Sequence, residues 1–167
     1  LVRLSDGTQV AAKLVIGADG RNSAVRQANN IDVATTRYGQ KAITFAVTHP
    51  EPHGGISTEV HRDGGPFTLV PLPDHEGQPC SSVVWMDTGP NIAALAALGD
   101  DAFTAAANHR SAGVNGQLTL VGKRSVWPII SQVAERMYAE RVALVAEVAH
   151  VVPPIGAQGL NMSLGDM

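Results

Sequence analysis

Cysteine is nearly missing from this 167-residue chain: Cys80 stands alone, so no internal disulfide can form. That fits a reducing compartment. No oriented base can be identified beside that thiol, so it reads as an unpaired thiol near a loop and not as a nucleophile. An excess of basic charge is missing too. Twelve Lys and Arg against fifteen Asp and Glu leave a net charge of -3 and a pI of about 6.0. A surface made for phosphates needs clustered Lys and Arg, so nucleic acid is not expected as a partner. No apolar run approaches the roughly 18 residues of a membrane-spanning helix, and there is no internal repeat or low-complexity tract. Six histidines include His49 and His53 at a ligand-like spacing, but Pro50 and Pro52 keep that stretch off a helix. No second pair matches it, so no metal site is expected. No catalytic triad is present either.

What remains is ordinary globular material, 44% hydrophobic and 16% charged, far from the composition of disordered chains. The length suits one domain or parts of two. Leu1-Val2-Arg3-Leu4 alternates like the inside of a strand with no signal-type stretch before it, and Gly159 to Met167 reads as the opening turns of a helix that stops before it can bury a face. An internal piece of a longer protein, left by an incomplete sequence, is the expectation.

Leu1 to Leu4 and Val10 to Ile16 read as two strands joined by a tight turn at Ser5-Asp6-Gly7. The second runs into Gly17-Ala18-Asp19-Gly20, after which Asn22 or Ser23 can cap a short helix through Asn30. From Arg37 the pattern turns to β-rich runs at Ala42 to Thr48, Ile56 to His61, Pro66 to Pro71 and Ser81 to Met86, separated by Gly, Pro, Asp and His clusters. Strands without intervening helices suggest a mostly antiparallel sheet. Asn91 to Ala107 is Ala-rich and reads as helix broken around Gly99. Arg124 to Ile130 and Ala134 to Tyr138 look like further strands, and Val142 to Val145 is an apolar run suited to a buried parallel strand. Phe67 and Trp85, on alternating strands, read as core. The fold class is α/β, of α+β character: residues 1–36 and 132–167 belong to a nucleotide-binding domain, and 37–131 form a β-rich domain inserted into it.

Two strings carry a family resemblance. Leu14-Val15-Ile16-Gly17-Ala18-Asp19-Gly20-Arg21-Asn22-Ser23-Ala24-Val25-Arg26 resembles the internal Asp-Gly motif of the para-hydroxybenzoate hydroxylase superfamily. Arg141 through Pro154, followed by Ile155-Gly156-Ala157-Gln158-Gly159-Leu160-Asn161, resembles its second flavin-binding motif. Within that superfamily, the runs Gly65 to Pro73, Ser82 to Trp85 and Gln158 to Asn161 are most similar to the ubiquinone-biosynthesis hydroxylases. Two long motifs in the right order are far more specific than a lone glycine pattern.

The resemblance implies an FAD-dependent monooxygenase, with NAD(P)H as co-substrate and a flavin hydroperoxide delivering one atom of O2 to an aromatic ring. A small aromatic substrate follows, and a polyprenylated phenol if the ubiquinone branch holds. Cytoplasmic location is implied, with peripheral attachment to the inner membrane or to a multi-enzyme assembly. Since the hard chemistry belongs to the cofactor, no catalytic side chain is named. Hydroxylation of a soluble aromatic, or a cofactor-less binding module, stay open as alternatives.

The resemblance also assigns cofactor contacts. Asp19 and Gly20 lie where strand meets turn, and Arg26 could reach a pyrophosphate or a nicotinamide. The residues alone leave open that Asp19 caps the helix and that Arg26 is a solvated surface charge. Pro153 stiffens the approach to the flavin, and the turn holding Gly156, Gln158, Gly159, Leu160 and Asn161 aims backbone N–H groups at its pyrimidine edge. His150 reads as a loop histidine with satisfied ring nitrogens. Two departures stand out. The Gly-x-Gly-x-x-Gly turn that holds pyrophosphate is absent, so the chain by itself should bind FAD poorly. Ala146-Glu147 replaces the family's Gly-Asp: Glu147 keeps an acceptor for a ribityl hydroxyl but is a methylene longer, and Ala146 restricts the backbone where glycine would not.

Overall fold

The computed structural model describes residues 1–167 and divides them into two compact units, one made of Leu1–Tyr38 with Ile130–Met167, the other of Gly39–Ile129. In the first unit, β1 (Val2–Arg3) and β2 (Gln9–Val10) form a small antiparallel hairpin with Val2 opposite Val10. The single strand expected from Val10 to Ile16 is broken. β3 (Val15–Gly17) belongs to a separate sheet, because Ala11, Ala12 and Lys13 are exposed and bring no β-branched side chain to pack. β3 leads through Ala18–Gly20 to α1 (Ala24–Ala28), whose N-cap is Ser23.

The chain then enters β4 (Val33–Thr48), which starts well before the expected Ala42. Its first seven residues are mostly exposed and so show no apolar alternation to read. β5 (Thr58–Arg62), β6 (Gly65–His75) and β7 (Gln78–Thr88) follow as antiparallel neighbours in the order β4-β7-β6-β5. β7 begins early enough to place Cys80 inside a strand, just past the turn at Glu76 and Gly77, where burial pushes its thiol pKa up. α2 (Gly89–Ala96) and α3 (Asp100–Ser111) are the two halves of the expected broken helix. Asp100 and Asp101 sit in the first turn of α3 and His109 and Arg110 in its last, matching the helix dipole at both ends.

β8 (Thr119–Ala134) extends the expected Arg124–Ile130 strand at both ends and lies beside β4 in the sheet, whereas the expected Ala134–Tyr138 strand is interrupted over residues 135–137. Pro128 does not end it, because on its other side β8 meets only β11 (His150–Val151), which pairs with Gln132 and Val133. β9 (Tyr138–Ala139) and β10 (Val142–Leu144) complete the β3 sheet in the order β3-β10-β9. β10 runs parallel to β3, with Leu144 opposite Gly17, which is the buried parallel strand that the apolar run predicts. α4 (Gly159–Gly165) closes the chain.

The period-two alternation of the Gly39–Ile129 unit points Ile43, Phe45, Val47, Phe67, Leu69, Val83 and Trp85 to one face, where Ile92 of α2 and Phe103 and Ala107 of α3 cover them. The register sets Ile43, Trp85 and Phe67 side by side across three strands. Phe103 meets Phe45 edge to face at 4.8 Å between centroids, and Phe67 meets Trp85 at 5.5 Å. The opposite face is thinner: Ala42, Met86 and Ile129 cluster there, and the half-exposed Trp127 donates its indole N–H to Thr44 Oγ1 at 3.2 Å. In the other unit the core is small, with Ile31, Ala134, Leu144, Val148 and Ala149 at its centre.

Candidate functional site

Gly17 ends β3 where an added Cβ would come within 3.0 Å of Val25 Cγ1 and 3.1 Å of Leu144 Cδ2. Only glycine lets β3, β10 and α1 approach so closely. Asp19 follows in the turn and is spent on the helix: Oδ1 accepts from Ser23 Oγ at 2.5 Å, and Oδ2 from the Ala24 and Val25 amides at 2.7 and 3.2 Å. Partial burial raises the Asp19 carboxyl, but the bonds from Ser23 and from those amides outweigh it and hold the group below its ordinary range. Gly20 takes a left-handed turn at φ +81°.

Arg26 is not a solvated surface charge. It is buried, and its guanidinium donates to Val148 O at 3.0 Å and Arg21 O at 2.9 Å. Arg21, one residue past Gly20, reaches the same second segment: its Nε and Nη2 pair with both carboxylate oxygens of Glu147 at 3.3 and 3.2 Å, across 126 residues of sequence. The parallel pairing of β3 with β10 therefore brings the two motif turns together, and two arginines tie them. Sequence reasoning assigned no role to Arg21; its place beside the Asp-Gly turn was the available signal.

After β10 the chain makes a single 3-10 turn at Ala146–Val148, with Ala146 at φ +56°. The backbone is thus one that glycine would adopt freely and alanine adopts at a cost. Beyond Pro153 and Pro154, a second short turn at Ile155–Ala157 passes through Gly156 at φ +70° and Ala157 at φ +52°, and Gln158 folds back to donate to Gly156 O at 2.9 Å. α4 begins without a side-chain cap, so its first backbone N–H groups, at Gly159, Leu160 and Asn161, are left free to bond elsewhere.

Glu147, His150, Val151, Val152, Gly159, Leu160 and Ser163 line a cleft of about 260 Å³. It gathers three of the candidate residues, Glu147, Gly159 and Leu160. Arg26 supports the Ala146–Val148 turn from behind, Asp19 and Gly20 shape the turn before α1, and Pro153, Gly156, Gln158 and Asn161 belong to the approach and first turn of α4 without lining the cleft. A larger cleft of about 520 Å³ in the same unit, between the β1 hairpin and α1, contains none of the candidates. His150 is satisfied, its Nε2 lying 2.9 and 3.0 Å from the two oxygens of Asp166, a residue that sequence reasoning passed over. His49 is likewise committed, to Glu51 O at 2.8 Å and Ser81 Oγ at 2.9 Å, and no three His, Cys, Asp or Glu side chains converge as a metal cluster.

Whole-ligand pockets run to roughly 300–1,000 Å³, so a cleft of about 260 Å³ fits one part of a dinucleotide and not the whole. Its lining includes a carboxylate residue, Glu147, and the uncapped start of α4, groups that complement the hydroxyl-bearing and carbonyl-bearing parts of a flavin.

The FAD binding domain family matches residues 1–167. The ubiquinone hydroxylase UbiL of Rhodospirillum rubrum is 38% identical over 164 residues, covering 98% of this chain and 37% of that protein. The mitochondrial ubiquinone biosynthesis monooxygenase COQ6 of Homo sapiens is 30% identical over 200 aligned positions, covering 99% of this chain and 42% of that protein. The crystal structure of pqsL, a probable FAD-dependent monooxygenase from Pseudomonas aeruginosa, superposes with a TM-score of 0.74 at 22% identity, covering 97% of this chain and 45% of that one. At that identity the likeness shows the fold. The chain thus spans less than half the length of each.

Proposed function

Because the chain belongs to the FAD-binding domain family, we propose that it is the central part of a flavin-dependent monooxygenase that hydroxylates an aromatic ring in ubiquinone biosynthesis. The observation that carries this reading is the junction of the two motif turns. Arg21 on Glu147 and Arg26 on Val148 O hold the turn after β3 against the turn after β10, beside the uncapped start of α4. The names of the curated relatives support the ubiquinone branch.

On this reading Glu147 accepts from a ribityl hydroxyl, and the backbone N–H groups of Gly159, Leu160 and Asn161, presented through Gly156 and Gln158, face the pyrimidine edge. Pro153 fixes the angle of approach to that edge. Asp19, Gly20 and Arg26 hold the turns in place. Bound FAD would supply the redox chemistry, carrying electrons from NAD(P)H to O2. The chain's own task is to orient the flavin, to favour negative charge at its pyrimidine edge through fixed donors, and to keep water out. The substrate is a small aromatic compound, a polyprenylated phenol if the ubiquinone branch holds. No helix of the chain is long and apolar enough to cross a membrane. On the ubiquinone reading such a substrate would be met at the inner membrane by peripheral attachment.

The test is a flavin absorbance spectrum of the purified chain and of a protein extended to the length of the curated relatives. The extended protein should carry FAD and the short chain little. An extended protein without flavin overturns the reading. Oxidation of NAD(P)H that depends on a polyprenylated phenol, and not on a soluble benzoate, supports the ubiquinone branch.

A further inference from the structure

Asp166 sits directly after α4, at the end of a helix where the dipole is negative and a carboxylate is least welcome. It is held there by two donors from another segment. Its Oδ2 accepts from the Ala146 amide at 2.8 Å, and both its oxygens lie within 3.0 Å of His150 Nε2. The His150 and Asp166 side chains keep 13% and 24% of their exposure. The bond from His150, and then that from the Ala146 amide, hold the Asp166 carboxyl below its ordinary range.

The amide that Asp166 binds belongs to the residue in left-handed conformation, and the next residue is Glu147, which lines the cleft. The other end of α4 supplies Gly159 and Leu160 to the same cleft. One short helix therefore contributes to the cleft at its start and, at its end, grips the turn that carries Glu147. We infer that Asp166 is a positioning residue for flavin: by bonding the Ala146 amide and the His150 ring at once, it fixes the distance between Glu147 and the first turn of α4. The inference rests on the flavin reading of that cleft. Arg21 acts on Glu147 from the other side and is the remaining charged group at the turn.

The test uses the protein at the relatives' length, with FAD affinity read by quenching of flavin fluorescence and the Ala146 amide read by hydrogen exchange without flavin. Asp166→Asn keeps the shape but offers one acceptor oxygen where there were two, so FAD should bind about tenfold more weakly, the factor expected for one charge-assisted bond. Exchange at Ala146 should rise alongside. His150→Gln, which keeps a donor near Nε2, should bind FAD within about twofold of the native protein, whereas His150→Ala should match Asp166→Asn. The His150 pair reads the same latch should Asp166→Asn fail to fold. If the native protein takes up FAD and neither Asp166→Asn nor His150→Ala changes affinity or exchange, the latch is overturned and the flavin reading stands. If the native protein takes up no FAD, the flavin reading falls and the positioning role with it.

Discussion

The two units of the chain are held together by different physics. Gly39–Ile129 stands on burial: eleven core residues, among them Phe45, Phe67, Trp85 and Phe103, interdigitate between one sheet face and two helices. The unit that carries the motif turns has a core cluster of five small or aliphatic residues and leaves Leu14 and Ile16 exposed. With so small a core it leans more on directional bonding, of a kind the other unit also has where the buried Arg110 donates to Val60 O and Gly65 O: a buried guanidinium on two carbonyls, a carboxylate on a helix start, and a carboxylate on an amide and an imidazole. Apolar packing tolerates small shifts of any one group, whereas fixed donors hold atoms to tenths of an ångström. A site that must place hydrogen bonds around a cofactor gains from the second kind.

The sharpest way to break this contrast is Phe103→Ala. A fully buried ring between Phe45 and Trp85 would be lost, and stability should fall by about 3–5 kcal/mol in a denaturant titration. A loss below about 1 kcal/mol would show that the aromatic row is not the support. Arg26→Met comes next. It keeps bulk but strips the donors from Val148 O and Arg21 O, for an expected cost of about 1–3 kcal/mol; a neutral outcome would mean that the arginine tie is dispensable.

Asp19→Ala removes the acceptor at the start of α1 and should cost about 1 kcal/mol. The three carboxyls held below their ordinary range, Asp6, Asp19 and Asp166, all lie in the motif-bearing unit. A carboxyl depressed in the folded state stabilises that state above its unfolded pKa, and the contribution is lost as pH falls through the folded value. Stepping the pH down from 5 should therefore release the Ala24 and Ala146 amides, read by NMR, before those of Ile43 or Phe67, with the change beginning near the ordinary carboxyl value of 3.8. Simultaneous release would dissolve the distinction between the units. The smallest expected effect has the opposite sign. Ala146→Gly relieves a left-handed alanine while loosening the unfolded chain, and a net gain of about 0.5 kcal/mol is expected in thermal unfolding.

The elements legible in the sequence are those whose causes are local. Ser23 caps α1 three residues from the amide it binds, and Val142 to Leu144 announce a buried strand by their own apolarity. Gly99 divides the two helices where its weak helix preference predicts. The first half of β4 was illegible because its exposed residues carry no pattern of burial. At the site, the turns were legible through resemblance, but the bonds that lock them were not. Arg26 finds Val148 O across 122 residues and is buried against the usual preference of arginine. Asp166 acts from the disfavoured end of a helix, where no rule of helix chemistry would have looked for it.

The parallel pairing of β3 with β10 also dictates a timetable. Val15–Gly17 and Val142–Leu144 are neighbours in the sheet but are made at different times, with the whole Gly39–Ile129 unit translated between them. Closing so long a loop costs entropy that grows only slowly with length, and the growing chain has no β10 to offer until late. Strands β4 to β8 of the aromatic sheet all precede β10, so they can pair on the ribosome while β3 still waits unpaired with Leu14 and Ile16 in water. The Asp-Gly turn thus leaves the ribosome before the Gly39–Ile129 unit but can settle into its sheet only after that unit, once β10 has been made.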